Sequence, residues 1–220
     1  MKVLGVLGGM GPAATTDFLM KLQAATPARR DADHIRVLMD LNPRVPDRMA
    51  EPEAATAELG RMAERLKSVG AEVLAMPCNT AHATADGIRA AGLPFVDMIA
   101  ETTKVALASG ARAVGVLAAP GGEALYRSAL EAAGATVVLP EGDEDRARLM
   151  ALIQGVKAGE VGAGARAAMA GLAADLVARG AGALIAGCTE VPLLLSAGDV
   201  RVAFADSAEV LARACVERLL

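Results

Sequence analysis

Two stretches decide the fold of this chain: Gly70-Ala71-Glu72-Val73-Leu74-Ala75-Met76-Pro77-Cys78 and, 110 residues on, Gly180-Ala181-Gly182-Ala183-Leu184-Ile185-Ala186-Gly187-Cys188. Each runs from a glycine suited to closing a helix, through a short apolar run, to a cysteine. Outward from them the repeat continues. Gly5-Val6-Leu7 returns as Gly115-Val116-Leu117 at the same offset, and Phe95 and Asp97 return as Phe204 and Asp206 at an offset of 109. One such match would be chance in so alanine-rich a sequence, but four in order, at half the chain length, point to two copies of one unit.

The unit itself is legible from hydrophobic patterning. Apolar runs at Val3 to Leu7, Val37 to Met39, Val73 to Met76, Phe95 to Val96, Val114 to Leu117, Val137 to Leu139, Ala183 to Ala186 and Val202 to Phe204 read as buried parallel strands. Between the second and third, Ala55, Leu59, Met62, Leu66 and Val69 recur at helical spacing and stop before Gly70, the stripe of an amphipathic helix. Strand, helix, strand in alternation predicts an α/β protein with mainly parallel sheets. The expected division is a first domain of residues 1–98 plus about 205–220 and a second of 99–204. No Ser- or Pro-rich linker separates them, so the halves are expected to be closely packed.

Composition excludes several classes. With 220 residues and 22.3 kDa the chain can bury a sizeable core, and 54% hydrophobic against 22% charged residues is a folded globule's balance. A net charge of −4 with no Trp, one Tyr and three Phe offers neither a phosphate-neutralising field nor a stacking platform, so nucleic acid is not an expected partner. No apolar run approaches the roughly 18 residues that span a bilayer, and Met1 to Leu7 is too short for a signal-peptide core. No membrane partner is expected, and a cytoplasmic location is. Three cysteines argue against a disulfide framework and turn attention to the thiols one by one.

Cys78 and Cys188 each close a strand, and in parallel α/β sheets ligands gather outside the carboxyl ends of the strands. A helix-competent stretch from Ala81 follows Cys78, and a helix N-terminus there would favour thiolate over thiol. Duplication would set two such thiols on opposing walls, an arrangement suited to taking a proton from one face of a carbon and returning one to the other. The competing reading is that both are small buried hydrophobes. Cys215, with Leu211 and Leu219 one helical turn to either side, reads as core.

The surrounding motifs are Gly5-Val6-Leu7-Gly8-Gly9-Met10-Gly11-Pro12, Asn42 with Pro46-Asp47-Arg48, Met76-Pro77-Cys78-Asn79-Thr80-Ala81-His82 and Ala186-Gly187-Cys188-Thr189-Glu190. With them the chain resembles the aspartate/glutamate racemase family, closest to its aspartate racemases, from Met1 to the last helix. The resemblance implies two Rossmann-like domains with the active site between them, usually in a homodimer. It also implies cofactor-independent racemisation of a small amino acid, with Cys78 and Cys188 as opposing acid and base and neither pyridoxal phosphate nor metal required. By position it makes Asn79, Thr80 and Thr189 ligands of the amino and α-carboxylate groups, with Met10 also at the substrate. Arg48 and Lys157 would grip a side-chain carboxylate, roles that suit a bidentate guanidinium and a point-charge ammonium. On the residues alone, Arg48 also fits an exposed loop charge and Lys157 a charge near a helix C-terminus.

One stretch departs from the family pattern. Where Ala-Thr-x-Gly-Thr is usual, this chain has Ala118-Ala119-Pro120-Gly121-Gly122, so both hydroxyls are missing and substrate selectivity is open to change. Two other readings therefore stand beside racemisation: another two-cysteine reaction on a carboxylate, such as cis–trans isomerisation of maleate, and an amino-acid-binding module without catalysis.

Weaker signals remain. Gly9-Met10-Gly11-Pro12-Ala13-Ala14 fits the glycine-rich dinucleotide turn, with Asp40 as a ribose ligand, though 29 residues past Gly11 is farther than the usual ~20. His82 could pair with Cys78 as nucleophile and base or as two metal ligands on one turn, or pack as a hydrogen-bonded core histidine. Glu190 could tune Cys188 or receive the substrate amine, or it could sit at a helix N-terminus. Glu141 to Arg148 reads as a solvated loop and helix start with Asp143 as N-cap.

Overall fold

The computed structural model describes residues 2–220. The chain divides by internal contacts into two compact units, Met1–Glu101 with Ala208–Leu220, and Thr102–Ser207. The divisions fall inside a helix and just after the last strand, whereas the sequence places them at 98/99 and near 204/205.

The first unit runs β1 (Leu4–Gly8), α1 (Pro12–Ala25), β2 (Val37–Leu41), α2 (Pro52–Ser68), β3 (Val73–Ala75), α3 (Asp86–Ala90), β4 (Phe95–Val96) and the first turn of α4 (Met98–Ala108), whose remainder belongs to the second unit, and α8 (Ser207–Leu219) returns to it. Its four strands are parallel in the order β2-β1-β3-β4. The second runs β5 (Ala113–Leu117), α5 (Pro120–Ala132), β6 (Thr136–Val138), α6 (Gly142–Lys157), α7 (Ala163–Ala178), β7 (Ala183–Ala186) and β8 (Ala203–Asp206), again all parallel, in the order β6-β5-β7-β8. The two units thus share one topology, with the order reversing beside β1 and β5, where α/β sheets open a ligand crevice at the strand ends.

Register explains why the repeat survives in sequence. Gly5 pairs with Leu74, and Gly115 pairs with Leu184. A Cβ on Gly5 would stand 2.7 Å from Leu74 Cδ2 and 2.8 Å from Ala71 Cβ, and one on Gly115 would collide with Leu184 Cδ2 and stand 3.1 Å from Ala181 Cβ. In both units the leucine of the neighbouring strand and the alanine that follows α2 or α7 crowd the central strand so closely that only glycine fits. Strand alternation fills the two faces of the first sheet: Leu7, Leu74 and Met76 join Leu59, Met62 and Leu66 of α2, while Leu4, Val6 and Val73 join Phe18 and Leu22 of α1 and Leu211, Cys215 and Leu219 of α8.

Three expectations change. Val69 is not on the buried stripe of α2; it is the C-cap and 62% exposed, because the helix ends one residue earlier and the chain turns through Gly70 at φ 102°. The N-cap of α6 is Glu141, two residues before the expected Asp143, and Asp143, Glu144 and Asp145 fill the first turn, where the helix dipole favours them. No long helix follows either cysteine of interest. After Cys78 come a 3₁₀ turn over Thr80–Thr84 and the five-residue α3, and after Cys188 a 3₁₀ turn over Val191–Leu193, so neither thiol faces the dipole of a full helix.

Candidate active site

Met10, Cys78, Asn79 and Thr80 lie just past the carboxyl ends of β1 and β3, and Cys188, Thr189 and Glu190 past that of β7, whereas Arg48 follows the edge strand β2 and Lys157 ends α6. In the first, Cys78 lies three residues past β3 and is buried, in one apolar cluster with Met10, Val45, Met76 and Ala81. Asn79 is buried and Thr80 half-buried. Met10 sits in the turn between β1 and α1, which is tight because Gly9, at φ 98°, lies against the backbone of Asn42, where a Cβ would come within 2.5 Å of the Asn42 carbonyl carbon. Thr15 Oγ1 accepts the Gly9 N–H at 2.9 Å and donates to the Gly11 carbonyl at 2.9 Å, holding that turn from within α1.

The segment after β2 carries Arg48. Asn42 extends the strand ladder by donating its N–H to the Gly8 carbonyl at 3.1 Å, and its side-chain amide donates to Glu58 Oε1 at 3.0 Å. Val45 is buried in the same cluster as Cys78, and Asp47 Oδ1 accepts the N–H groups of Met49 and Ala50 at 2.8 and 2.9 Å. Between these anchors Arg48 is half-buried, and its Nε is fully buried without a hydrogen-bond partner. A buried guanidinium N–H without an acceptor is costly, and an anionic ligand group is the acceptor that would relieve it.

In the second unit Cys188, Thr189 and Glu190 are all buried and touch one another. Cys188 Sγ donates to Glu190 Oε2 at 2.9 Å, and Thr189 Oγ1 reaches the same oxygen at 3.5 Å. Glu190 stands at the head of the following 3₁₀ turn, but its carboxylate makes no capping bond there, so the thiol, not the turn, holds it. Gly187, just before, lies under Tyr126 of α5: a Cβ there would come within 2.9 Å of the ring and 3.0 Å of Ala118 Cβ. Helix α5 starts at Pro120 after Ala119, which as N-cap makes no side-chain bond, and Gly121 and Gly122 are buried in its first turn. Lys157 is the exposed last residue of α6, and Val156 beside it belongs to the apolar cluster that contains Cys188.

The rival readings fare unequally. Asp40 is bound by Arg65, whose Nε and Nη2 stand 3.0 and 2.8 Å from Oδ2, which leaves it ill placed to take a ribose. His82 does not pair with the Cys78 thiol: its Nδ1 is 2.8 Å from the Cys78 carbonyl oxygen and its Nε2 accepts the Met98 N–H at 3.1 Å. Burial pushes its pKa below the usual 6.5. Cys215 is fully buried and not in a disulfide, and burial pushes its thiol up to about 12, the state of an inert core cysteine. Among the described residues no group of three or more His, Cys, Asp or Glu is arranged to hold a metal ion, and no helix is long and apolar enough to cross a membrane. Sequence reasoning missed two supports: the Asn42–Glu58 bond, and the tie from His82 to the first residue of α4.

Comparison with known proteins bears on the whole chain. The family model described as Asp/Glu/hydantoin racemase matches residues 7–215. An aspartate racemase of Picrophilus torridus is similar in structure, with TM-score 0.88 at 29% identity over 100% of this chain and 94% of that one. An aspartate racemase homologue from Pyrococcus horikoshii OT3 gives TM-score 0.83 at 25% identity, covering 100% and 99%. In sequence, the broad specificity amino-acid racemase RacX of Bacillus subtilis (strain 168) is 30% identical over 109 residues, 46% of this chain and 48% of that protein, so the match spans about half the length of that relative.

Proposed function

Because the chain belongs to the Asp/Glu/hydantoin racemase family, we propose that it racemises a small amino acid without pyridoxal phosphate, using Cys78 and Cys188 as paired base and acid, with aspartate the favoured substrate. The observation that carries this reading is that the two cysteines occupy the same topological place, beyond the carboxyl ends of β3 and β7, in two copies of one fold unit. In the proposed reaction the thiolate of one takes the α-proton, the thiol of the other gives a proton to the opposite face of the carbon, and a turnover leaves the two protonation states exchanged.

The hydrogen bond between Cys188 and Glu190 supports a difference in role between the two thiols. Cys188 Sγ donates to Glu190 Oε2 at 2.9 Å, a bond that a thiol can make and a thiolate cannot. In this reading Cys188 is the proton donor and Cys78 the base for one enantiomer. For the opposite enantiomer the roles exchange: Cys188, as thiolate, takes the α-proton and Cys78, as thiol, gives one to the other face. Asn79, Thr80 and Thr189 supply donors for the α-carboxylate, whose charge grows as the proton leaves. Arg48, with its unpartnered Nε, and Lys157 hold a side-chain carboxylate. The preference for aspartate rests on the similarity to aspartate racemases and on Arg48; the side-chain-free turn at Gly121 and Gly122 and the likeness to a broad specificity racemase leave room for other side chains.

The test is incubation of the purified protein, without added cofactor, with L- and D-aspartate, glutamate and a panel of neutral amino acids, followed by chiral chromatography. Enantiomer formed fastest from aspartate is the expected result. No enantiomer from any member of the panel would overturn the reading.

A further inference from the structure

We propose that His82 is a positioning residue for Cys78: its neutral imidazole, clamped between the Cys78 carbonyl and the Met98 amide, replaces an anchoring bond that Pro77 cannot make. The proposal deepens the two-cysteine reading above and rests on it for its catalytic consequence.

The argument starts from the ladder. In the second unit β7 runs to Ala186, and the next residue, Gly187, donates its N–H to the Leu117 carbonyl at 2.8 Å, so hydrogen bonding to β5 continues to the residue before Cys188. The residue that matches Gly187 in the first unit is Pro77. Proline has no N–H, the corresponding bond to β1 cannot form, and β3 ends at Ala75 after only three residues. Cys78 is therefore reached by an extra step of chain beyond its sheet, with its N–H turned back to the Met76 carbonyl at 2.8 Å and its carbonyl turned to His82.

His82 is placed to hold that carbonyl. Its Nδ1 lies 2.8 Å from the Cys78 carbonyl oxygen, which can only accept, so Nδ1 carries the proton. Its Nε2 lies 3.1 Å from the Met98 N–H, which can only donate, so Nε2 is bare. The two contacts allow one tautomer of the neutral ring and leave neither nitrogen for the Cys78 thiol. The ring packs against Phe95 with centroids 5.4 Å apart, and Arg89 covers the Phe95 ring at 5.6 Å while binding Asp97 at 2.7 Å. Asp97 in turn caps α4, accepting the N–H groups of Ile99 and Ala100 at 3.0 and 3.1 Å. The Cys78 strand end is thus tied through His82 to the start of α4. The second unit, with its ladder bond intact, has Pro192 at the matching position and no imidazole.

Two variants separate the two contacts. In His82→Asn the side-chain amide can still donate from near the Nδ1 position to the Cys78 carbonyl; in His82→Gln the amide oxygen can still accept from near the Nε2 position but the bond to Cys78 is lost. The primary readout is the iodoacetamide alkylation rate of Cys78 relative to Cys188 in the same molecule, by peptide mass spectrometry, which needs no activity. The expected result is a change of about threefold or more at Cys78 in His82→Gln, little change in His82→Asn, and none at Cys188 in either, the span of one net hydrogen bond. In a racemising protein the Gln variant should also lose about tenfold in kcat with KM held, rescued in the Asn variant. Equal changes at both thiols, equal behaviour of both variants, or an unaltered Cys78 in His82→Gln would each overturn the proposal. Should a variant fail to fold, ¹⁵N NMR of the histidines in the wild-type protein decides: a neutral ring protonated at Nδ1 is expected, and protonation at Nε2 would contradict it. If the wild-type protein racemises nothing, the function proposed above falls, while the alkylation and NMR results still judge His82.

Discussion

The two strand ends that carry Cys78 and Cys188 are copies, yet almost every residue around the thiol differs. Pro77 stands against Gly187, Asn79 against Thr189, Thr80 against Glu190 and His82 against Pro192. The first thiol sits beyond a shortened strand and is braced by an imidazole through its backbone; the second sits directly on its ladder and donates to a buried carboxylate. Duplication has kept the packing that places the cysteines and let their chemical surroundings diverge. A racemase has an equilibrium constant of one between enantiomers in solution, but its groups on the two sides of the carbon need not be equivalent, and the surroundings of Cys78 and Cys188 differ.

The largest effect expected is from removing a thiol. Cys78→Ala and Cys188→Ala should each lower racemisation by about 10³-fold or more, since each deletes one acid/base partner, whereas Cys215→Ala, in the core of the first unit, should leave turnover unchanged once the protein is folded. Near-normal turnover in either of the first two would break the pairing. Next comes the asymmetry itself. Glu190→Gln keeps an acceptor for Cys188 but removes the charge, and kcat should fall by about 10- to 100-fold with a changed pH–rate profile; Glu190→Thr, which makes the second copy resemble the first, should do the same. An unchanged profile would mean that the two thiols are equivalent after all.

Stability probes what the copies still share. Gly5→Ala and Gly115→Ala force a Cβ into the same contact with the leucine of the neighbouring strand, and each should cost about 1–3 kcal/mol in denaturant unfolding. A large cost at one and none at the other would show that the packing has diverged too. The smallest effect concerns His82, which only the first copy has. Its folded pKa is lowered by burial, so below pH 6.5 the unfolded chain takes up a proton that the folded one refuses. Its contribution is complete above pH 6.5 and is lost as the pH falls from there toward the lowered value, at up to about 1.4 kcal/mol per pH unit. His82→Asn should flatten that part of the stability profile.

What the sequence discloses follows from what is local. The eight strands were legible as short unbroken apolar runs, buried in the central β1, β3, β5 and β7 but not in the edge strand β2, where Met39 and Leu41 are exposed, and the repeat was legible because Gly5, Ala71 and Leu74 form one steric contact that must be kept whole. The Cys188–Glu190 contact was half legible: two residues of separation made it available, but only the fold shows that the carboxylate turns to the thiol rather than to the 3₁₀ turn. The tie from His82 to Met98 was not legible, because its acceptor site is filled by a backbone N–H 16 residues away and a main-chain donor leaves no mark in the side-chain pattern. The expected helix dipole behind each thiol failed for a related reason: helical propensity after Cys78 was read from composition, while the 3₁₀ turn there is held by specific bonds, the His82 N–H to the Asn79 carbonyl at 3.0 Å and Thr84 Oγ1 to the Ala81 carbonyl at 3.0 Å.

The most direct test of two distinct bases acting on one carbon is the fate of the α-proton in D₂O. L-aspartate is converted by the protein to a few per cent, and product and remaining substrate are separated by chirality and examined for deuterium by mass spectrometry. The account predicts that the D-aspartate formed carries deuterium at the α-carbon while the unconverted L-aspartate keeps its proton, with the complementary pattern from D-aspartate. D-aspartate that retains the original proton would mean that a single base carries it from face to face, and would contradict the assignment of Cys78 and Cys188 to opposite sides of the reaction.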